Sequence, residues 1–205
     1  NEYARLQAAC EWKSLGTTET LYGKTVTIVG LGDIGYNFAT RCHMMGAKVR
    51  GVVRTPRAAM PHGVDELFVG DELDKALDGA DIIALCLPST NETTQLFDAA
   101  RLKRLKKGSM ILNVGRGTAV DQDALIELLQ SGYLGGAGLD VTTPEPLPAD
   151  SPLWAMPNVI ITPHISNGVS LDITLDFIFN KFTEYLQNYI DGKQFKRVVD
   201  RSVGY

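Results

Sequence analysis

Short apolar runs alternate with segments of helical period along the chain. The runs predict strands over residues 25–29, 48–53, 66–69, 81–87, 109–114, 136–141 and 159–161. Several are apolar throughout, as in Asp81-Ile82-Ile83-Ala84-Leu85-Cys86-Leu87. Strands buried on both faces have that pattern, as in a parallel sheet covered by helices. Helical spacing predicts helices over residues 2–12, 34–45, 73–77, 99–105, 121–131 and 169–190. The alternation predicts an α/β fold built on a doubly wound parallel sheet.

One stretch breaks the rhythm. Five of the nine prolines fall between Pro144 and Pro157, a density that excludes helix and sheet interior. Leu147, Leu153 and Trp154 in the same stretch call for burial, so it reads as a stiff, ordered excursion. Such an excursion can deliver a side chain to a site or pack on a partner subunit.

Composition narrows the function classes. The chain has 205 residues, 44% hydrophobic and 21% charged, enough apolar material for one large domain. A net charge of −4 argues against a nucleic-acid surface. The basic run from Arg101 to Lys107 reads as a solvated helix end. Cys10, Cys42 and Cys86 show neither CxxC nor metal-ligand spacing, and read as reduced, buried thiols of a cytoplasmic protein. No metal site, signal peptide or membrane span is expected.

Gly30-Leu31-Gly32-Asp33-Ile34-Gly35 is a GxGxxG placed between a predicted strand and a predicted helix. In that context the first glycine permits a tight turn, the second lets a pyrophosphate approach the backbone, and the third lets helix and strand pack. The helix N-terminus then offers N–H groups and a positive dipole end to phosphate. These features predict a Rossmann-type dinucleotide-binding domain rather than a plain structural turn. An Asp or Glu about 20 residues on, which binds the ribose hydroxyls in NAD-type sites, is missing. Val53 is followed by Arg54-Thr55-Pro56-Arg57. Arg54, Thr55 and Arg57 offer donors suited to a 2′-phosphate, so NADP(H) is favoured and NAD(H) stays open.

Three further segments follow in fixed order. They are Leu112-Asn113-Val114-Gly115-Arg116-Gly117, Gly138-Leu139-Asp140-Val141 leading into Pro144-Glu145-Pro146, and Thr162-Pro163-His164-Ile165-Ser166. With the glycine loop, they resemble the D-isomer-specific 2-hydroxyacid dehydrogenases, a family that includes glyoxylate/hydroxypyruvate reductases. The resemblance runs from about Trp12 to the C-terminus, and Arg116, Glu145 and His164 stand 29 and 19 residues apart as in the family.

The resemblance implies that Arg116 binds substrate, His164 is the acid/base and Glu145 is its partner. It implies that Asp140 and Ser166 hold the nicotinamide carboxamide, and that Asp33 and Ile34 lie against the pyrophosphate beside the cofactor-binding glycines Gly30, Gly32 and Gly35. It also implies that Leu87, Pro88, Ser89, Val114 and Gly115 wall the cleft. The chemistry suits these types: histidine donates a proton near neutral pH, a neighbouring carboxylate favours the imidazolium, and arginine binds a carboxylate while polarising a carbonyl. Each residue taken singly also has a plain structural reading. His43 and His62 receive no role. Many relatives carry Arg at the position of Asp33, so phosphate binding here falls to backbone N–H groups.

The implied activity is hydride transfer between NAD(P)(H) and a small 2-keto or 2-hydroxy acid. The alternatives are a nucleotide-sensing corepressor on the same fold, and an unrelated nucleotide-binding enzyme with an accidental triad. The chain begins with Asn1 and carries 29 residues before Gly30, so the family's substrate domain is expected to be absent. Residues 1–205 are expected to form one domain with a core over about 15–190, while residues 1–12 and 191–205 are remnants of interdomain connections. A homodimer through this domain, and poor turnover by the chain alone, are expected.

Overall fold

Residues 2–16, 18–166, 172–195 and 198–199 are described by a computed structural model. Among them, seven strands form one parallel sheet: β1 (Thr25–Val29), β2 (Lys48–Val53), β3 (Glu66–Val69), β4 (Ile82–Leu85), β5 (Met110–Asn113), β6 (Gly136–Leu139) and β7 (Val159–Ile161). Their order is β3-β2-β1-β4-β5-β6-β7. The sheet therefore runs outward from β1 in one direction, then returns and runs outward from β4 in the other. This reversal between β1 and β4 opens a crevice at the carboxyl ends of the strands, where open α/β sheets bind ligands.

The helices are α1 (Glu2–Ala8), α2 (Asp33–Met44), α3 (Leu73–Leu77), α4 (Ala99–Lys103), α5 (Gln122–Gln130) and α6 (Asp172–Ile190). On one side of the sheet, Val26, Ile28 and Val49 pack with Ala39 and Cys42 of α2. On the other, Ile83, Leu85 and Ile111 pack with Leu77, Leu102, Leu125 and Leu129 from α3, α4 and α5. Burial of each such large side chain contributes about 1.5–3 kcal/mol. Thr27 is polar yet fully buried in β1, and its hydroxyl donates to the Ala76 carbonyl at 2.7 Å.

The predicted strands all form, but three end early because the chain turns into site loops. β4 stops at Leu85, β5 at Asn113 and β6 at Leu139. α1 ends at Ala8, four residues before the predicted limit, with Cys10 in the left-handed region at φ 56°. Asp121 caps α5 by accepting from the Ala124 N–H, so the helix starts one residue later than predicted. The first residues predicted for the last helix, 169–171, lie outside the described residues.

Two other expectations need correction, and one gains detail. Cys10 is exposed, while Cys42 is buried and Cys86 half-buried. The basic run does end α4 in solvent, and it adds ion pairs not foreseen: Arg101 and Arg104 contact Asp74 at 2.9 and 2.8 Å, and Lys106 contacts Asp81 at 2.6 Å. In the proline-rich excursion Leu153 is buried, but Trp154 stays 54% exposed and donates from Nε1 to the Pro148 carbonyl. Along α6, Phe177, Phe179 and Phe182 are exposed. Among the described residues no helix is long and apolar enough to cross a membrane.

Candidate active site

The glycine loop opens β1 into α2. Gly30 takes φ 95°, and a Cβ there would lie 2.6 Å from the Cys86 carbonyl oxygen, so only glycine fits. A Cβ on Gly35 would lie 1.9 Å from the Gly30 carbonyl oxygen, which fixes the close contact of helix and turn. Gly32 differs: nothing lies within 4 Å of its Cβ direction. Its backbone is open towards the cleft that this loop floors. Asp33 and Ile34 follow at the exposed start of α2.

This loop floors a cleft of about 680 Å³, within the range of about 300–1,000 Å³ for cofactor sites. Its walls include Arg54, Thr55 and Arg57 at the end of β2, Cys86, Leu87 and Pro88 beyond β4, and Val114, Gly115 and Arg116 beyond β5. Arg57 Nη2 donates to the Leu31 carbonyl at 2.6 Å, which draws its guanidinium over the glycine loop. The predicted wall residue Ser89 is exposed and stands outside this lining. Val53, Leu31 and Cys86 belong to it without having been singled out. Burial pushes the Cys86 thiol up to about 11, so it sits there as a neutral, unreactive surface. An extended dinucleotide fits this cleft: an open glycine backbone lies in the middle, donors stand at the β2 end and Arg116 at the other.

Arg116 is held by its own loop. The buried Asn113 accepts from the Gly115 N–H at 3.1 Å and donates from Nδ2 to the Arg116 carbonyl at 3.0 Å. Arg116 Nη1 donates to the Gly115 carbonyl, and its side chain is exposed at the cleft mouth. Gly117 packs on the next loop so tightly that a Cβ would lie 2.0 Å from the Thr142 carbonyl oxygen.

Glu145 lies in that next loop, between cis peptide bonds at Thr143–Pro144 and Glu145–Pro146. Its Oε1 accepts from the Thr142 N–H at 3.1 Å, and its Oε2 stands 2.9 Å from His164 Nδ1. The His164 hydrogen bond, with the Thr142 N–H and the nearby Arg116 charge, holds the Glu145 carboxyl below the usual carboxylate range despite partial burial. Because the carboxylate accepts, Nδ1 carries the hydrogen and Nε2 is left for other partners.

His164 has φ 52°, in the left-handed region, on a turn just past β7. A non-glycine residue persists there only when its surroundings hold it. Asp140 does so. Its carbonyl accepts from the His164 N–H at 2.8 Å. Its Oδ1 accepts from the Thr162 hydroxyl at 2.6 Å and the Ile165 N–H at 2.9 Å, and its Oδ2 from the Ser166 N–H at 3.0 Å. Burial pushes the Asp140 carboxyl up, but the hydrogen bonds from Ser166, Thr162 and Ile165 outweigh it and bring it down to about 2. The Asp140 carboxylate thus faces the turn that carries His164. With Glu145 and His164 it also lines an adjoining apolar cavity of about 580 Å³ that includes Leu147 and Trp154.

A crevice at the switch point of a parallel sheet, flanked by an arginine and a carboxylate–histidine pair, has the architecture of a dinucleotide-binding domain. The model of the D-isomer specific 2-hydroxyacid dehydrogenase NAD binding domain matches residues 1–166. The chain belongs to this family.

It is 40% identical over 192 residues to a glyoxylate/hydroxypyruvate reductase B of Citrobacter koseri, covering 91% of this chain and 57% of that protein. Among solved structures, a D-isomer specific 2-hydroxyacid dehydrogenase of Xanthobacter autotrophicus in complex with NADPH and MES superposes with a TM-score of 0.84 at 37% identity, over 100% of this chain and 81% of that one. An NADPH-dependent glyoxylate/hydroxypyruvate reductase of Sinorhizobium meliloti in complex with NADP and sulfate gives 0.85 at 33% identity, over 100% of this chain and 64% of that one. The chain spans about half the length of the curated relatives it matches.

Proposed function

We propose that this chain is the cofactor-binding and acid–base half of an NADP(H)-dependent dehydrogenase that reduces a small 2-keto acid to the D-2-hydroxy acid. The observation that carries the reading is the 2.9 Å Glu145–His164 pair, held beside Arg116 at the carboxyl end of the sheet. When bound, NADPH supplies the hydride that reaches the keto carbon. His164 gives a proton from Nε2 to the keto oxygen as the negative charge grows there, and Glu145 stabilises the imidazolium and fixes its tautomer. Arg116 binds the substrate carboxylate and draws density from the carbonyl. The protein's part is orientation and polarisation.

Arg54, Thr55 and Arg57 would take the 2′-phosphate, and the Gly30–Gly35 backbone with the α2 N-terminus the pyrophosphate. Gly32, Asp33, Ile34, Leu87, Pro88, Val114 and Gly115 would form the walls. The relatives named above support NADP(H) over NAD(H) and point to glyoxylate and hydroxypyruvate as the first substrates to test. The corepressor alternative gains no support from them.

The same reading makes residues 1–205 one domain of a larger enzyme, with a core over about 15–190 and connections to a substrate domain at 1–12 and 191–205. The exposed phenylalanines of α6 support it, because an isolated domain rarely leaves such a row uncovered. A homodimer through the Pro144–Trp154 side is supported by the exposed Trp154, and a cytoplasmic location by three cysteines outside disulfides. The decisive experiment is stopped-flow reduction of glyoxylate and hydroxypyruvate by the full-length protein with and without His164→Asn. A loss of about a hundredfold or more in hydride transfer is expected; an unchanged rate would refute the assignment of His164.

A further inference from the structure

We infer that Gln122 is a positioning residue that sets where Glu145 stands relative to Arg116. The inference rests on the reading of Glu145 and His164 given above. Gln122 is the first residue of α5, just after the Arg116 loop. Its side-chain amide pairs at both ends with the backbone of Thr143, two residues before Glu145. Nε2 donates to the Thr143 carbonyl at 2.8 Å, and Oε1 accepts from the Thr143 N–H at 2.9 Å.

The amide thus replaces a neighbouring strand at a point where β6 has already ended. A donor and an acceptor are both needed, so only an amide side chain meets the demand, and asparagine is one methylene too short. From Thr143 the support passes straight to the carboxylate. The Thr142 hydroxyl donates to the Pro144 carbonyl at 3.0 Å, and the Thr142 N–H donates to Glu145 Oε1.

The other end of this link is rigid. Asp121 caps α5, and the Asp121 N–H donates to the Phe97 carbonyl at 2.9 Å. Gly117 seats the start of the same segment against Thr142. The β5–α5 segment therefore grips the Glu145 loop at two points, and Arg116 leaves from that same segment. Without Gln122, the prolines flanking Glu145 would still stiffen the loop locally, but nothing else among the described residues pairs with the Thr143 backbone.

The test compares Gln122→Leu, Gln122→Glu and Glu145→Gln in the full-length protein. Gln122→Leu is expected to lower kcat for a 2-keto acid about tenfold while the NADPH Kd stays within about twofold. It should also move the acid limb of the kcat profile to higher pH, because a loosened loop releases Glu145 from the hydrogen bond that holds its carboxyl low. Gln122→Glu keeps the acceptor for the Thr143 N–H, loses the donor and suits a helix N-terminus. It is expected to fold normally and to fall between the wild type and Gln122→Leu. If Glu145→Gln loses activity while both Gln122 variants keep the wild-type kcat and pH profile, the inference is overturned and the role of Glu145 stands. If none of the three changes kcat, the role of Glu145 fails and the inference falls with it.

Discussion

Asp140→Asn separates charge from shape at the turn that carries His164. The wild-type carboxylate accepts three hydrogen bonds from Thr162, Ile165 and Ser166, and its residue is only 4% exposed. Asparagine has the same shape but one acceptor oxygen. Its Nδ2 must face either the Ser166 N–H or the Thr162 hydroxyl and Ile165 N–H, leaving donors opposed. The carboxyl is lowered from 3.8 to about 2. At about 1.4 kcal/mol per tenfold change in proton affinity, that amounts to roughly 2 kcal/mol of stability carried by the charged form.

The sign of the pH dependence follows. A depressed carboxyl contributes its full stability above the unfolded value near 3.9 and loses it as pH falls towards 2. Urea unfolding of the wild type and Asp140→Asn should therefore differ by roughly 2 kcal/mol at pH 7. The gap should shrink to roughly half at pH 3. A gap that is the same at both pH values would show that the loss is steric and that the charge is not what holds the turn. Activity should fall with stability, because the Asp140 carbonyl and carboxylate together keep His164 in its left-handed conformation.

Arg57→Ala should raise the NADPH Kd by about tenfold to a hundredfold, the worth of a charge-assisted bond, while the NADH Kd changes less than about threefold. Fluorescence titration measures both, and equal losses would remove Arg57 from 2′-phosphate recognition. Asp33→Asn removes a negative charge from the first turn of α2, where the pyrophosphate would sit. Cofactor Kd should drop by about twofold to fivefold, and weaker binding would contradict the placement of the pyrophosphate there. Gly117→Ala forces the Arg116 and Glu145 loops apart, since its Cβ would stand 2.0 Å from the Thr142 carbonyl oxygen. Its kcat should fall more than about tenfold with cofactor Kd preserved, and a wild-type kcat would disprove the tight seam.

The sheet was legible because its signal is periodic and local. Runs such as Thr25–Val29 and Lys48–Val53 carry their burial pattern in consecutive residues, and the glycine loop carries its geometry in three. The strand ends were less legible. Cys86 and Leu87 are as apolar as the strand they follow, and only the turn into the crevice separates them. Trp154 was misjudged because a large aromatic side chain asks for burial without saying whether its own fold or another surface supplies it.

The site divides along the same line. Arg116, Glu145 and His164 announce themselves by their place in motifs that resemble the family's, in types that suit carboxylate binding and proton transfer near neutral pH. Their supports do not. Asn113 acts through the Arg116 carbonyl and Gln122 through a backbone 21 residues away. Each is an ordinary polar residue whose partner is a peptide group, and every residue offers one of those. Motif and residue type therefore point to the atoms proposed to do the chemistry, whereas the atoms that aim them are defined by which loops end side by side. In this fold that is decided by the parallel order β4-β5-β6-β7. The order sets the Arg116, Glu145 and His164 loops next to one another at one edge of the crevice, so that each loop can be held by its neighbour.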